Sequence, residues 1–396
     1  MTQLPMKHAF EMPEGVIYLD GNSLGPLPKG VADRVSRVVR DEWGQHLIRG
    51  WNVDDWMGQP KSVGNRVGRL IGATPGSTVL GDTLSIKVYQ ALASAIAMRP
   101  GRRVIVSETG NFPTDLYMAQ GLIRQLGRGH ELRLVEPEGV EDALSDDVAA
   151  VMLTHVDYRT GRMHDLNAIT SAVQSAGAVM IWDLAHSAGA LPVDIEGSGA
   201  EFAVGCTYKY INAGPGAPAF ITVRPDIVSD IEPALAGWLG HEAPFAFDPD
   251  YRPAGDIERF RVGTPPVLQV AALDAALDIW DQVTMDAIRA ASVSLCEQFI
   301  EEVEARVHDL TLASPRIAAQ RGSQVSFRFE HGYAAMQALI SRGVIGDFRA
   351  PNIMRFGFCP LFLDASDVSA AVDHLAEVMD KELWKQPEFQ KKSRVT

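Results

Sequence analysis

The stretch AVMIWDLAHSAGALPVDIEGSGAEFAVGCTYK, residues 178–209, decides the fold class. It contains two short, mainly apolar runs, AVMIW and EFAVG, and polar side chains follow each run at once. Apolar runs of about five residues bounded by glycine-rich turns are typical of strands in a parallel sheet that helices cover on both faces. Asp183 and His186 follow the first run. Lys209 follows the second, although lysines are normally placed where water solvates them.

The same pattern continues on both sides of this stretch. Four further runs are typical of strands: RRVIVSE (102–108), ELRLVEP (131–137), AAVMLTHV (149–156) and APAFITV (217–223). Between them, LNAITSAVQSAG (166–177) predicts a helix with Leu166, Ile169 and Val173 on one face and Gly177 as its C-terminal stop. Strands alternating with helices predict an α/β fold with a mostly parallel sheet between helices.

The pattern changes from about Pro265 onwards. Two long amphipathic helices, two short strands and a closing helix are predicted there: 267–283, 285–307, 323–329, 352–358 and 364–383. A chain of 396 residues is also too long for one ordinary core. We therefore predict three parts: an N-terminal segment (1–50) that packs on the small domain, a large domain (51–265), and a small α+β domain (266–396).

Composition and charge exclude several classes of partner. The net charge of −14 argues against nucleic-acid and anionic-membrane partners. The three cysteines show no metal-ligand or disulfide pattern, which fits a reducing compartment. The N-terminus lacks the apolar core of a signal peptide, and no apolar run approaches the roughly 18 residues that span a bilayer. The sequence therefore predicts a soluble, cytoplasmic protein without a metal.

Polar side chains collect where the predicted strands end, and ligands of open α/β sheets bind at that edge. The residues that follow the strands are Thr109–Asp115, Thr154 and His155, Asp183–His186, and Thr207–Lys209. Upstream, TVLGDTLSIKVYQ (78–90) places Gly81–Ser85 at the start of a helix. The free backbone N–H groups and hydroxyls of such a start suit a phosphate.

These features together match the requirements of pyridoxal phosphate. Its aldehyde needs a lysine, its ring nitrogen needs a carboxylate, its ring needs a flat partner, and its phosphate needs N–H and hydroxyl donors. Lys209, Asp183, Phe112 and the cradle Thr83–Ser85 supply these groups in turn. Lys209 lies at a strand end because its amine must be aimed, desolvated and partly neutral.

Taken singly, each feature has an ordinary interpretation. A strand-end aspartate is a common turn or cap residue, and GDTLS is a common helix start. Phe112 alone is typical of a core, His186 of a structural histidine, and Lys209 of a side chain that reaches the surface with its stem buried. The ordered combination, with Asp183 and Lys209 at adjacent strand ends, indicates the cofactor.

At this point a resemblance is evident. DLAH (183–186) and TYKY (207–210) resemble the core of fold-type I pyridoxal-phosphate enzymes of the class V aminotransferase group. Further stretches are similar to those of the kynureninase family: YLDGNSLGPLPK (18–29), NFPTD (111–115), RTGRMHD (159–165), GWLGH (237–241), ERFRVGTPPV (258–267) and MRFGFCPLF (354–362). These stretches run in family order over nearly the whole chain. Their combination is far more specific than any one of them.

The resemblance implies hydrolysis of the Cβ–Cγ bond of L-kynurenine, or of L-3-hydroxykynurenine, to anthranilate or 3-hydroxyanthranilate and L-alanine. The setting it implies is tryptophan catabolism or pyridine nucleotide supply. It also implies a homodimer whose active sites are shared across the interface.

The resemblance assigns roles to individual residues. Lys209 would hold the cofactor and later move protons, Asp183 would pair with the ring nitrogen, and Tyr208 would help to hold the phosphate. A general acid and base must also serve the substrate carbonyl, and Tyr208, next to Lys209, is our candidate for it. The other cofactor-binding residues it implies are Leu84, Ser85, Phe112, Asp115, Thr154, Ala185, His186, Trp238 and Thr264, of which Trp238 and Thr264 would come from the partner subunit. Arg355, Trp51 and Asn22 would bind the substrate, Arg355 through a bidentate contact with its carboxylate. Ser85 and Thr264 stand where some members carry Thr and Asn, and either change keeps a polar group.

Other functions share parts of this pattern. Another class V enzyme, an aminotransferase or a cysteine desulfurase, would have the same core; a desulfurase needs a mobile cysteine late in the chain, whereas Cys359 is predicted to be bound in a strand. A cofactor-holding regulator without turnover is opposed by the acidic charge and by the lack of a DNA-binding appendage. A dinucleotide-binding protein is disfavoured because no GxGxxG follows an early strand.

Overall fold

The computed structural model describes residues 4–391, and its central feature is a seven-stranded sheet. The strands of the chain are β1 (Phe10–Glu11), β2 (Ile17–Tyr18), β3 (Leu27–Pro28), β4 (Thr78–Leu80), β5 (Val104–Glu108), β6 (Glu131–Val135), β7 (Val148–Thr154), β8 (Val179–Asp183), β9 (Phe202–Gly205), β10 (Phe220–Val223), β11 (Thr311–Leu312), β12 (Gln324–Arg328), β13 (Val344–Ile345), β14 (Asp347–Arg349) and β15 (Ile353–Gly357). The α-helices are α1 (Val31–Arg37), α2 (Gly50–Val53), α3 (Gln59–Leu70), α4 (Leu84–Met98), α5 (Pro113–Leu126), α6 (Leu166–Ser175), α7 (Ile195–Ser198), α8 (Val267–Ala276), α9 (Met285–Arg306), α10 (Gly332–Ile340), α11 (Ala365–Asp380) and α12 (Pro387–Gln390).

The large sheet has the strand order β4-β10-β9-β8-β7-β5-β6. Strands β6, β5, β7, β8 and β9 are mutually parallel, and β10 runs antiparallel to both of its neighbours. Every residue of β5, β7, β8 and β9 is buried, and apolar clusters cover both faces of the sheet. The predicted fold class, a mostly parallel sheet between helices, is confirmed.

The antiparallel direction of β10 follows from its connection to β9. The segment between the two strands contains no α-helix, and a parallel crossover usually needs one. Gly205 is required at the pairing, because a Cβ there would lie 2.4 Å from Cζ of Phe220. The sequence predicted β10 as a strand, but it did not predict β4 as its neighbour.

The C-terminal part forms a four-stranded antiparallel sheet with the order β11-β12-β15-β14. The ring of Phe299 on α9 packs against Phe327, Phe356 and Phe358 at 6.1, 4.9 and 5.1 Å between ring centres. Helix α11 begins with a capping box in which the side chains of Asp364 and Asp367 each accept from the other's backbone N–H. This part of the chain is the α+β unit that the sequence predicts.

The N-terminal segment contacts both other parts. Strand β2 pairs with β13 in parallel, and the rings of Phe10 and Phe362 lie 5.3 Å apart. Farther along, the backbone N–H of Gly25 donates to the carbonyl of Tyr208 at 2.8 Å. These contacts place residues 10–25 against both other parts; the division at residues 50 and 265 stays a prediction, and residues 1–3 and 392–396 lie outside the described chain.

Among residues 4–391, no helix is both long enough and apolar enough to cross a bilayer.

Candidate active site

Lys209 lies just beyond the end of β9, beside a buried histidine. Its Nζ is 3.3 Å from Nε2 of His186 and 5.8 Å from the ring centre of Tyr208. Its carbonyl accepts from the N–H of Asn212 at 2.9 Å, and a Cβ on Gly25 would lie 2.4 Å from that same oxygen. The turn GNSLG (21–25) therefore packs directly against the backbone of Lys209.

Asp183, the last residue of β8, is buried with a second carboxylate beside it. Its Oδ1 accepts from the backbone N–H of Ala185 at 2.8 Å. Burial raises the pKa of Asp183, while the charge of Lys209 opposes the rise. Burial, and then the negative charge of Asp183, raise the pKa of Asp115 well above its usual range. Two buried carboxyl groups thus face one lysine, and a cationic or N–H-bearing partner is needed to stabilise both.

Thr154 connects this carboxyl pair to the end of β5. Its hydroxyl lies 2.5 Å from Oδ1 of Asn111 and 3.5 Å from Oδ2 of Asp183. The amide of Asn111 in turn donates to Oγ of Ser107 at 3.0 Å. Asn111 follows a strand in the sequence, yet no role was predicted for it. The only feature of the sequence that pointed to Asn111 was its place in the family-like stretch NFPTD (111–115).

Some buried polar atoms at this site have no hydrogen-bond partner among residues 4–391. They include Oδ2 of Asp115 and Nδ1 of His186. Burial and the charge of Lys209 hold the pKa of His186 well below its usual value, so the ring is neutral and offers one donor and one acceptor. Buried polar atoms without partners are costly, and polar groups of a ligand would satisfy them.

Phe112 and Tyr158 form an aromatic corner above the strand ends. Phe112 is the residue before α5, and its ring remains 41% exposed. Its edge contact with Tyr158 has a centre distance of 5.2 Å and an interplanar angle of 86°. A ring held by its edge leaves a face available for stacking.

The start of α4 has the features expected of an anion cradle. Thr83 precedes the helix, and its side chain makes no capping bond, so the hydroxyl is not used by the helix itself. Leu84 and Ser85 form the first turn and are half-buried. Tyr208 is half-buried, and its pKa lies above the usual range because of Cys206 and burial. The phenol of Tyr208 therefore keeps its proton.

Arg355, on β15, is buried and most of its donors are already used. Its Nε donates to Oδ1 of Asp347 at 2.6 Å, and its Nη2 donates to the other oxygen of Asp347 and to Oγ of Ser23. Its Nη1 donates to the carbonyl of Tyr158. A guanidinium has five N–H groups, so one on Nη1 remains. The bidentate contact predicted for the substrate is made by Asp347 here.

The remaining predicted residues lie in three places. Asn22 is buried and donates to Oε1 of Gln324 at 3.1 Å, close enough to His186 for a backbone contact. Trp51 contacts Trp238, with ring centres 6.1 Å apart. Thr264 is exposed beyond the turn Ile257–Phe260.

Sequence reasoning missed the acidic partners of Arg355. Asp347 follows a glycine in a strand of three residues, and Asp20 lies inside YLDGNSLG. Burial and the charge of Asp347 raise the pKa of Asp20 to about 7. The position of Asp20 in a family stretch was the only available signal, because the pairing itself joins distant segments.

The prediction that Cys359 belongs to a strand is wrong. Strand β15 ends at Gly357, since the carbonyl of Cys359 already accepts from Phe362 and Leu363 in the turn that follows. The thiol is nevertheless buried, and burial raises its pKa to about 12. A buried thiol with a raised pKa is a poor nucleophile, so this cysteine does not resemble a desulfurase nucleophile.

Comparison with solved structures shows the fold. The chain superposes on a cysteine desulfurase from Thermococcus onnurineus NA1 with a TM-score of 0.81 at 19% identity, covering 96% of this chain and 99% of the other. A cysteine desulfurase from Escherichia coli gives a TM-score of 0.78 at 17% identity, covering 95% and 98%. At these identities the likeness concerns architecture alone.

Comparison of sequences shows the family. The model of the kynureninase C-terminal domain matches residues 288–375. A kynureninase from Burkholderia pseudomallei is 50% identical over 399 aligned residues, covering 99% of this chain and 96% of the relative. A kynureninase from Pseudomonas fluorescens is 49% identical over the same coverage. The chain belongs to the kynureninase family.

Proposed function

We propose that this chain is a kynureninase that uses pyridoxal phosphate to hydrolyse the Cβ–Cγ bond of L-kynurenine, giving anthranilate and L-alanine. The observation that carries the proposal is the cluster of Lys209 and Asp183, at adjacent strand ends, with Asp115 on the first turn of α5, in a chain that is 50% identical to curated kynureninases. L-3-hydroxykynurenine, which has the same amino-acid part and the same ketone, is the second candidate substrate.

The residues of the site fit the cofactor. Asp183 would accept the N–H of its ring nitrogen, and the partnerless atoms of Asp115 and His186 would meet its polar ring groups. Leu84 and Ser85 would hold its phosphate, and Phe112 and Ala185 would lie on either side of its ring. When bound, pyridoxal phosphate supplies a sink for the electrons left at the Cα of the substrate.

Lys209 is proposed to move the proton at the substrate Cα. Its amine lies 3.3 Å from Nε2 of His186, whose ring is neutral and therefore does not repel a protonated amine. A base beside a neutral acceptor can give up and regain its proton without moving the backbone. The support from Asn212 and Gly25 keeps the amine near the strand end throughout.

Tyr208 is proposed as the acid at the γ-carbonyl. Its pKa is raised, so it holds a proton at neutral pH that it can donate to the carbonyl oxygen as water adds to the carbon. The bond to Cβ then breaks, the ring-bearing part leaves as anthranilate, and Cβ takes up a proton to become the methyl group of alanine. The ring centre of Tyr208 lies 5.8 Å from Nζ of Lys209, so both side chains are close enough to act on one substrate.

Arg355 is proposed to anchor the substrate carboxylate by a single N–H. Its fork is occupied by Asp347, which leaves one donor on Nη1 for a ligand. Arg349 shares Asp347, with Nη2 2.8 Å from Oδ2, and adds positive charge to the same place. Asn22 lies behind this cluster and would contact the substrate from the side of His186.

We also propose a homodimer whose sites contain residues from both subunits. The rings of Trp51, Trp238, Phe245 and Phe247 form a continuous aromatic ridge, with successive centres 6.1, 5.8 and 6.3 Å apart. Phe247 is 76% exposed in the single chain. An exposed aromatic ridge of this extent is typical of an interface. Since Trp51 packs on Trp238, the two tryptophans would reach the partner's site together.

Mixing two inactive variants tests the shared site. We expect Lys209→Ala and Trp238→Ala subunits, refolded together, to regain about a quarter of the wild-type activity, because half of the random dimers contain one intact site. Steady-state release of anthranilate measures the recovery. Lys209→Ala mixed with Asp183→Asn is the matched control, since both residues belong to one subunit and no intact site can form. Equal recovery of activity in the two mixtures would refute the proposal that the active sites are shared between subunits.

The reaction itself is tested with purified holoenzyme. We expect L-kynurenine to yield fluorescent anthranilate and L-alanine in a 1:1 ratio, with L-3-hydroxykynurenine run alongside by absorbance. The ratio of the two rates identifies the substrate. Bound cofactor without product from either compound, but with amino transfer to a keto acid, would assign the chain to the transaminases instead.

A further inference from the structure

Lys87 is completely buried on the first turns of α4, and the proposed reaction makes no use of it. Its Nζ has three acceptors: Oε1 of Gln90 at 3.0 Å, the carbonyl of Phe260 at 3.0 Å and Oδ2 of Asp82 at 3.4 Å. An ammonium has three donors, so its hydrogen bonding is complete. The positive charge of Lys87 is balanced less well. Asp82 is the most distant of the three acceptors, and its side chain is 34% exposed to solvent.

The ammonium lies beneath the loop that precedes α4. A Cβ on Gly81 would be 3.9 Å from Nζ of Lys87, and Asp82 takes a positive φ of 56° that few side chains adopt. The backbone N–H of Lys87 donates to the carbonyl of Thr83 at 3.2 Å. The ammonium of Lys87 holds the loop Gly81–Thr83 through its contact with Asp82, and this loop leads directly into the proposed phosphate cradle.

The ammonium of Lys87 also donates to a second segment, the turn Ile257–Phe260. Phe260 ends the turn Ile257–Phe260, and its carbonyl accepts from both Lys87 and the amide of Gln90. Thr264, proposed for the partner's phosphate, follows four residues later in the chain. Lys87 thus joins the cradle of its own subunit to the segment that is offered to the other subunit.

A buried ammonium is a costly way to hold two loops together. An apolar side chain of similar size is often as stabilising at such a position, since it avoids desolvating a charge. Burial lowers the pKa of Lys87 to about 8, with Asp82 opposing the shift, so the group is still charged at pH 7. Retaining a charge at this cost indicates a role for the charge itself.

We propose that Lys87 is a positioning residue for the cofactor phosphate: it fixes the loop at the start of α4 and supplies positive charge that makes this cradle selective for a phosphate dianion. The inference rests on the proposed use of pyridoxal phosphate, but it does not depend on which substrate is cleaved. The positive end of the α4 helix dipole and the ammonium would act in the same direction.

The test compares two ligands that differ only in the phosphate. Apoprotein of the full chain is titrated with pyridoxal phosphate and with pyridoxal, and the ratio of the two dissociation constants is measured by absorbance. Lys87→Gln keeps hydrogen-bond donors for Gln90 and Phe260 but removes the charge. We expect it to lower the preference for pyridoxal phosphate about tenfold, with pyridoxal binding changed less than about twofold.

Lys61→Gln is the matched control. Lys61 pairs with Asp256 at 2.5 Å and so holds the same second segment from a partly exposed position. We expect its ratio to equal that of the wild type. Equal weakening of both ligands by Lys87→Gln would show that Lys87 only supports the fold, and an unchanged ratio would also overturn the proposal.

Lys87→Met covers the case in which Lys87→Gln is insoluble, because an apolar side chain of similar size avoids desolvating a charge. We expect this variant also to lower the preference for pyridoxal phosphate about tenfold. An unchanged ratio would overturn the proposal. Failure of the wild type to bind pyridoxal phosphate at all would instead refute the proposed function.

Discussion

Lys209→Ala is expected to abolish the visible absorbance of the bound cofactor and to lower kcat by about 10⁴-fold or more, because one amine both attaches the cofactor and moves the Cα proton. His186, which faces the lysine at 3.3 Å, is a poor substitute, because burial holds the pKa of its ring well below the usual value and makes it a weak base. The absorbance spectrum and anthranilate release measure the two effects separately.

Lys381→Ala is the matched control for this prediction. Lys381 is exposed and pairs with Glu377 on the last turn of α11, far along the chain from the strand ends. Its variant should keep the full absorbance band and the wild-type rate. A Lys209→Ala protein that retained the visible band would refute the assignment of the lysine, even if it were slow.

Asp183→Asn is expected to lower kcat about 10³-fold while the protein remains folded. The amide has the size of the carboxylate and can still accept from the N–H of Ala185, so the end of β8 should keep its shape. It cannot, however, supply the negative charge that stabilises a protonated ring nitrogen, and such electrostatic contributions are large in a buried site. Steady-state kinetics and the pH dependence of the cofactor absorbance measure the change.

Asp165→Asn controls for the loss of one aspartate. Asp165 caps α6 by accepting from the N–H of Ala168 at 2.9 Å, and asparagine caps helices equally well. That variant should retain wild-type kinetics. An Asp183→Asn enzyme with kcat within about tenfold of wild type would remove Asp183 from the catalytic residues.

Much of the large domain could be predicted from local sequence. Strands β5 to β10 match the predicted runs apart from a few residues at their ends, and α6 ends just before Gly177, whose φ of 74° favours glycine. The period and the length of an apolar run are local properties of the sequence, so strands and helices can be predicted from them without knowledge of the packing. The place of Asp183 and Lys209 at strand ends follows from the same local pattern.

The family, the fold class and the order of the polar groups along the sheet edge can all be inferred from the sequence. Which charges meet depends on the packing of the chain. It placed Asp115 beside Asp183, filled the fork of Arg355 with Asp347, and buried Lys87 under the loop before α4. These pairs come from distant segments or depend on burial, and the free energy of a charge is set by the neighbours and the solvent that packing leaves to it.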